Sequence, residues 1–106
     1  MLIYLASAYS IGDQALNVRR QIEAADRLLE KGHIPLIPCL SHLWHLISPK
    51  SYDEWLRIGI AWLGYCNALL RLEGESKGAD QELNYAYKLG LKIYFSLEDI
   101  PPSEKT

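Results

Sequence analysis

Ile34-Pro35-Leu36-Ile37-Pro38 is an apolar run of strand composition that carries two prolines. A proline cannot donate to a β-ladder, so this strand belongs at the edge of a sheet. The residues before it, Asp13 to Gly32, read as an amphipathic helix. Val18, Ile22, Ala25 and Leu29 recur at helical spacing, with Asp13 as N-cap and Gly32 as the residue just past the end. Before that helix, Leu2-Ile3-Tyr4-Leu5-Ala6 is a short apolar run ending in small residues, a buried strand whose carboxyl end opens into a loop. A buried strand, a helix and an edge strand in this order make one right-handed βαβ unit.

Beyond Pro38 the alternation continues. Ser41 to Pro49 has no clear period, is rich in His and Trp, and reads as a loop or short irregular helix. Ser51-Tyr52-Asp53-Glu54 is a capping box, and the helix it opens is apolar on most sides, through Trp55, Leu56, Ile58, Ile60, Trp62 and Leu63. Asn67 to Leu72 reads as a third strand, Glu73 to Gly78 as a polar loop, Ala79 to Leu89 as a helix closed by Gly90, and Leu91 to Phe95 as a fourth strand. The fold class is therefore α/β, a three-layer sandwich on a four- to five-stranded parallel sheet of flavodoxin- or Rossmann-like order 2-1-3-4. One domain spans residues 1–96, followed by a tail, 97–106, whose last stretch, Pro101 to Thr106, has no apolar anchor and is expected to fray. Ligands of such sheets bind at the strands' carboxyl ends where the strand order reverses. Here that crevice lies between the first and third strands, where Ser7-Ala8-Tyr9-Ser10 meets the loop Glu73 to Gly78.

Composition narrows the partners. The chain has 106 residues, and eleven Lys plus Arg against thirteen Asp plus Glu give a net charge of −2, which offers no basic field for a nucleic-acid polymer. The longest near-apolar stretch, Ile58 to Leu70, is broken by Gly59, Gly64, Tyr65 and Asn67 and falls short of the ~18 residues of a membrane span, so no membrane partner is expected. Two cysteines are too few for a secreted disulfide scaffold, and the opening run lacks the basic start of a leader, which together point to a cytoplasmic location. Cys39, His42 and His45 form C-x2-H-x2-H, but a structural zinc needs a fourth ligand that the sequence does not pair with them, so no metal is expected. No G-x-G-x-x-G follows the first strand, and no cofactor is implied. A helix as apolar as Trp55 to Leu63 in so short a chain points to a homodimer, with Trp55 or Trp62 at the contact.

The chemistry concentrates in Ser76-Lys77-Gly78-Ala79-Asp80-Gln81-Glu82. This stretch puts a hydroxyl and a glycine at a helix N-terminus, whose free N–H groups and positive dipole end suit a phosphate, and a carboxylate about one turn further on. The plainer reading makes Ser76 only a cap and Glu82 an acid favoured by the dipole.

Three patterns resemble one family: Ile3-Tyr4-Leu5-Ala6-Ser7; Tyr52-x6-Gly59-x2-Trp62-Leu63-x2-Cys66-Asn67-Ala68; and above all Ser76-x-Gly78-Ala79-x-x-Glu82-x3-Ala86-x2-Leu89-Gly90. Together they look like the nucleoside 2-deoxyribosyltransferase superfamily, and in particular its small members similar to deoxynucleoside 5′-monophosphate N-glycosidases and their bacterial and phage relatives. The resemblance implies that Glu82 is a nucleophile that attacks the anomeric carbon. It implies that Ser76 contacts the sugar's 5′ end, where a neutral hydroxyl tolerates a phosphate that an aspartate would repel. Gly78 and Ala79 complete that end, with Ser7 at the loop after the first strand. Apart from the resemblance, the aromatic residues near the expected mouth, Tyr4, Tyr9, Trp44, Tyr52 and Trp55, are suited to stack on a base, Tyr9 first because it lies in the crevice loop, and His42 and His45 read as lining the pocket or the dimer contact. Gly59 stands where the family usually has an aspartate that handles the base, Asn67 where an aspartate is frequent, and no basic residue follows the first strand. The implied function is cleavage or transfer of the N-glycosidic bond of a nucleoside or nucleoside 5′-monophosphate. The alternatives are a non-catalytic nucleotide-binding module of the same fold and a dimeric interaction protein presenting its Trp-rich helix.

Overall fold

The structure, a computed structural model, describes residues 1–104; Lys105 and Thr106, the end of the expected fraying tail, lie outside the described residues. Strands β1 (Leu2–Ala6), β2 (Ile34–Leu36), β3 (Ala68–Arg71) and β4 (Lys92–Tyr94) form one parallel sheet in the order β2-β1-β3-β4. Its helices are α1 (Gln14–Glu30), α2 (His42–Ile47), α3 (Tyr52–Leu63) and α4 (Lys77–Leu89). The proline-bearing strand is at the edge, as its missing donors require. Both central strands are buried on two faces, and side-chain parity sorts what they bury. Ile3, Leu5, Ala68 and Leu70 face α1 through Ala24, Ala25 and Leu28. Tyr4, Ala6 and Leu69 face the other layer, with Leu63, Cys66, Ala79 and Ala86. Parity thus puts a tyrosine hydroxyl among the helices that line the crevice.

The caps are where the residue types ask for them. The Asp13 carboxylate accepts from Leu16 N at 3.1 Å, Ser51 Oγ from Glu54 N at 3.1 Å, and Ser76 Oγ from Ala79 N at 3.1 Å. Gly90 closes α4 at φ 76°, a left-handed conformation that costs glycine little. The Ser51 box is one-sided, because the Glu54 carboxylate turns to Arg57 at 2.6 Å instead of reaching back.

Three expectations change. First, α4 begins at Lys77, two residues before Ala79, because Ser76 is its cap. Second, the His/Trp-rich stretch is ordered as a 3-10 turn, Pro38–Ser41, that runs into α2. Helix α2 buries no residue fully, but Trp44 packs edge-to-face on Trp55 of α3 at 5.0 Å between ring centres, so the same chain covers part of that tryptophan.

Third, the residues that α1 buries are Asn17, Gln21, Ala24, Ala25 and Leu28, so Ala25 of the apolar stripe read in the sequence stays inside while the rest of the buried face is rotated by one residue. Ile22 and Leu29 are left exposed. The two amides win this rotation through hydrogen bonds. Asn17 Nδ2 donates to Tyr9 O at 2.9 Å and Ile11 O at 2.7 Å. Gln21 Nε2 donates to Ser7 Oγ at 2.8 Å and Leu5 O at 3.2 Å, while its Oε1 accepts from Cys39 N at 3.2 Å. Irregular backbone at the sheet's carboxyl edge needs such partners, since a buried N–H left unpaired costs about 1–3 kcal/mol.

At the far end, Ile100 is 1% exposed and packs with the α1-side core, and Ser103 N donates to Lys31 O at 2.7 Å, so the described part of the tail is tied back to α1. Among the described residues no helix is long and apolar enough to cross a membrane.

Gln21→Leu keeps the volume and raises the hydrophobicity of α1, yet it strips Cys39 N–H of its partner. The substitution is therefore expected to lower the unfolding free energy by about 1–3 kcal/mol in urea denaturation, and an unchanged or higher midpoint would contradict this role.

Candidate active site

A cavity of about 400 Å³ opens at the carboxyl ends of β1 and β3, within the size range of pockets that hold small ligands. Its floor is Tyr4 and Glu82. Tyr4 is fully buried, and its hydroxyl donates to Glu82 Oε2. Glu82 is the one acidic side chain lining the cavity among the described residues, and Lys50 and Lys77 lie on its walls. Burial pushes the Glu82 carboxyl up to about 7, against the opposing pull of the Tyr4 hydrogen bond and the Arg71 guanidinium. The Tyr4 hydroxyl is raised well above its ordinary value, by burial first and then by the Glu82 charge, so it keeps its proton and remains a donor.

Gly59, on α3, is pressed against this pair. A β-carbon there would stand 2.7 Å from Tyr4 Oη and 2.8 Å from Glu82 Oε2, closer than real contacts allow. The aspartate expected at this position from the family resemblance is therefore more than absent. A side chain at residue 59 would require Tyr4 or Glu82 to shift from its place.

The remaining site residues divide by their partners. Ser76 is buried and its Oγ caps α4, which commits the Ala79 N–H and leaves the backbone N–H groups of Lys77 and Gly78 at the helix start. Tyr52 lies across that start: its hydroxyl donates to Gln81 Oε1 at 2.5 Å, and a β-carbon on Gly78 would come within 3.3 Å of it. Ser7 lines the cavity and accepts from Gln21, so its own proton is left to donate. Tyr9 lines the mouth with its hydroxyl given to His42 Nδ1 and its carbonyl to Asn17. All seven expected site residues line one cavity.

Sequence reasoning missed three contributors and the role of a fourth. Asn17 and Gln21 fall outside the apolar stripe read for α1, and Tyr4 reads as an aromatic near the mouth that stacks on a base, not as the partner of Glu82. Arg71, at the end of β3, is buried, and it shapes the loop before α4 by donating to Leu72 O, to Gly74 O at 2.8 Å and to Asp80 Oδ1 at 3.1 Å. The signal available for Arg71 was a charged residue closing an otherwise apolar strand.

The zinc pattern does not assemble. His42 Nδ1 receives Tyr9 Oη, and His45 Nδ1 receives Trp55 Nε1 at 2.7 Å and Lys50 N at 3.2 Å. Burial, and after it the Glu82 charge, push the Cys39 thiol up to about 12. Among the described residues no group of three His, Cys, Asp or Glu side chains could hold a metal ion.

The architecture is that of a nucleoside 2-deoxyribosyltransferase-like α/β fold. It is similar to the solved structure of a 2-desoxiribosyltransferase from Leishmania mexicana with a TM-score of 0.63 and 20% sequence identity, over 87% of this chain and 61% of that one. The chain thus spans less than two thirds of the length of that relative. Residues 1–95 match the family described as a domain of unknown function, DUF4406, and the chain belongs to that family. None of the curated proteins matches it.

The raised Glu82 carboxyl has a consequence for stability that needs no substrate. Its ordinary value is 4.5 and its folded value about 7, so between these the folded state holds the proton more tightly and stability falls as pH rises. Above pH 7 the ionised, partly buried carboxylate carries the whole penalty, up to about 3 kcal/mol by linkage. Glu82→Gln should therefore melt higher than the parent at pH 8 and at nearly the same temperature at pH 4.5. A variant that melts lower at pH 8 would contradict the shift.

Proposed function

We propose that this chain opens the N-glycosidic bond of a nucleoside 5′-monophosphate, with Glu82 as the nucleophile. The observation that carries the reading is the single carboxylate on the cavity floor, bonded at one oxygen by Tyr4 and with no second acid beside it. Two-carboxylate hydrolysis, in which one acid protonates the leaving oxygen, has no second member here. A nucleobase is a better leaving group than a sugar alcohol, and one nucleophile suffices for it.

In this reading Glu82 Oε1, which has no partner among the described residues, attacks C1′, and the C1′–N bond breaks with its electron pair going to the base. The base takes a proton from solvent as it leaves, and the glycosyl ester on Glu82 is then resolved by water or by a second base. Tyr4 holds the carboxylate still and lowers the cost of its charge. The phosphate takes the start of α4, where the Lys77 and Gly78 N–H groups and the Lys77 ammonium meet it and where Ser76 adds no negative charge. The lack of an acid at Gly59 also favours the alternative, a nucleotide-binding module without turnover, and the same assay separates the two.

The attacking carboxyl must be ionised, so base release should rise with pH through a midpoint near 7. Tyr4→Phe removes the donor that favours ionisation, which moves this midpoint to higher pH. Glu82→Gln should retain nucleotide binding and lose turnover by a thousandfold or more, equivalent to about 4 kcal/mol of barrier. Chromatography of nucleoside 5′-monophosphates incubated with the three proteins measures both effects. Equal release by Glu82→Gln would remove the nucleophile assignment, and binding without release by the parent would favour the binding module.

A further inference from the structure

One wall of the cavity is lined by α2 and α3, and one side chain there is fixed in a single chemical form. His45 Nδ1 is approached by Trp55 Nε1–H at 2.7 Å and by the Lys50 backbone N–H at 3.2 Å. Both are donors with nothing to accept, so Nδ1 carries its lone pair and the ring proton sits on Nε2. Nε2 has no partner among the described residues, and His45 lines the cavity that holds Glu82. Around it is an aromatic corner. Trp44 and Trp55 meet edge-to-face, and the Lys50 ammonium lies 5.1 Å from the Trp44 ring centre and 5.9 Å from that of Trp55.

We propose that His45 Nε2–H is the base-recognising donor of this site, binding a ring nitrogen or carbonyl oxygen of the nucleobase. The inference rests on the N-glycosidic reading above and adds the base contact to it. With the phosphate at the start of α4 and the sugar against Glu82, the base is assigned to the part of the same cavity that His45, Lys50 and Trp55 line. The imidazole N–H and the Lys50 ammonium are donors, and the Tyr52 hydroxyl on the same wall gives its proton to Gln81, so the His45 and Lys50 side of the wall favours a base edge that presents acceptors. When the C1′–N bond breaks, the electron pair enters the base and makes that acceptor more basic, which strengthens the His45 hydrogen bond in the transition state. The imidazole gives up no proton; the departing base takes one from water.

The test compares the parent protein with His45→Phe and His45→Gln, whose amide nitrogen can stand near the imidazole Nε2. Each is titrated by calorimetry with the four common deoxynucleoside 5′-monophosphates and with 2-deoxyribose 5-phosphate. In the parent, the best nucleotide should bind more tightly than the sugar phosphate. His45→Phe should lose roughly tenfold or more of nucleotide affinity, His45→Gln should recover part of it, and the sugar phosphate should bind all three alike. In ¹⁵N-histidine spectra of the parent, the His45 Nε2–H resonance should move on adding that nucleotide and stay in place with the sugar phosphate. The proposal is overturned if no nucleotide binds better than the sugar phosphate, or if His45→Phe keeps the nucleotide preference. It is overturned equally if His45→Phe weakens nucleotide and sugar phosphate together, as a merely structural role would. Nucleotide binding that follows His45 without any base release leaves this contact standing and removes Glu82 catalysis; Glu82-dependent release indifferent to His45 does the reverse.

Discussion

The contact on which the site depends is the hydrogen bond from Tyr4 to Glu82, made with no room to spare against the backbone of α3 at Gly59. It joins three elements, β1, α3 and α4, at one point beneath the cavity. Strand parity supplies the hydroxyl, the first turns of α4 supply the carboxylate, and a glycine lets α3 approach both. Each partner constrains the others. A larger residue at 59 would displace the pair, and without Tyr4 a buried carboxylate would lose its donor, the costly outcome for a charge withdrawn from water. The same burial that raises the Glu82 carboxyl to about 7 leaves it divided between acid and carboxylate at neutral pH.

The rest of the fold keeps that point open to a ligand. Asn17 and Gln21 tie the loop after β1 to α1, and Arg71 ties the loop after β3 to α4, so both lips of the crevice are held by buried side chains rather than left to their own preferences. Helix α2 completes the third wall with little burial of its own. It is attached through imidazole acceptors, His42 to Tyr9 and His45 to Trp55. Polar groups are thus spent on shaping the cavity, while its floor keeps one charge.

Much of this was legible in the residues. The prolines of Ile34 to Pro38 fixed the edge strand, and with it the order of the sheet and the place of the crevice. Ser76 and Glu82 stood out because a helix N-cap and a carboxylate inside the same helix fall at the expected crevice, in the block that carries the family resemblance. The α1 stripe was misread for a physical reason: hydrophobic periodicity gives Asn17 and Gln21 no weight for burial, although an amide that answers loop backbone is as much a core residue as a leucine. Tyr4 was legible as an aromatic near the mouth, but as a ring to stack on a base, since its hydroxyl acquires a role only when α4 is laid beside it. Gly59 read as a lost acid; only the distances to Tyr4 and Glu82 identify it as a requirement. Helix α2 escaped because its fold depends on side-chain bonds to Tyr9 and Trp55, which no local period records.

The most direct measurement of the central claim is mass spectrometry of the protein after incubation with 2′-deoxy-2′-fluoro nucleoside 5′-monophosphates. Their electron-withdrawing fluorine slows breakdown of a glycosyl ester more than the ester's reaction partners can compensate. The account predicts a sugar-phosphate adduct on the peptide that contains Glu82, with release of one equivalent of base, and no adduct in Glu82→Gln. An adduct on another residue, or base release with Glu82 left unmodified, would contradict it.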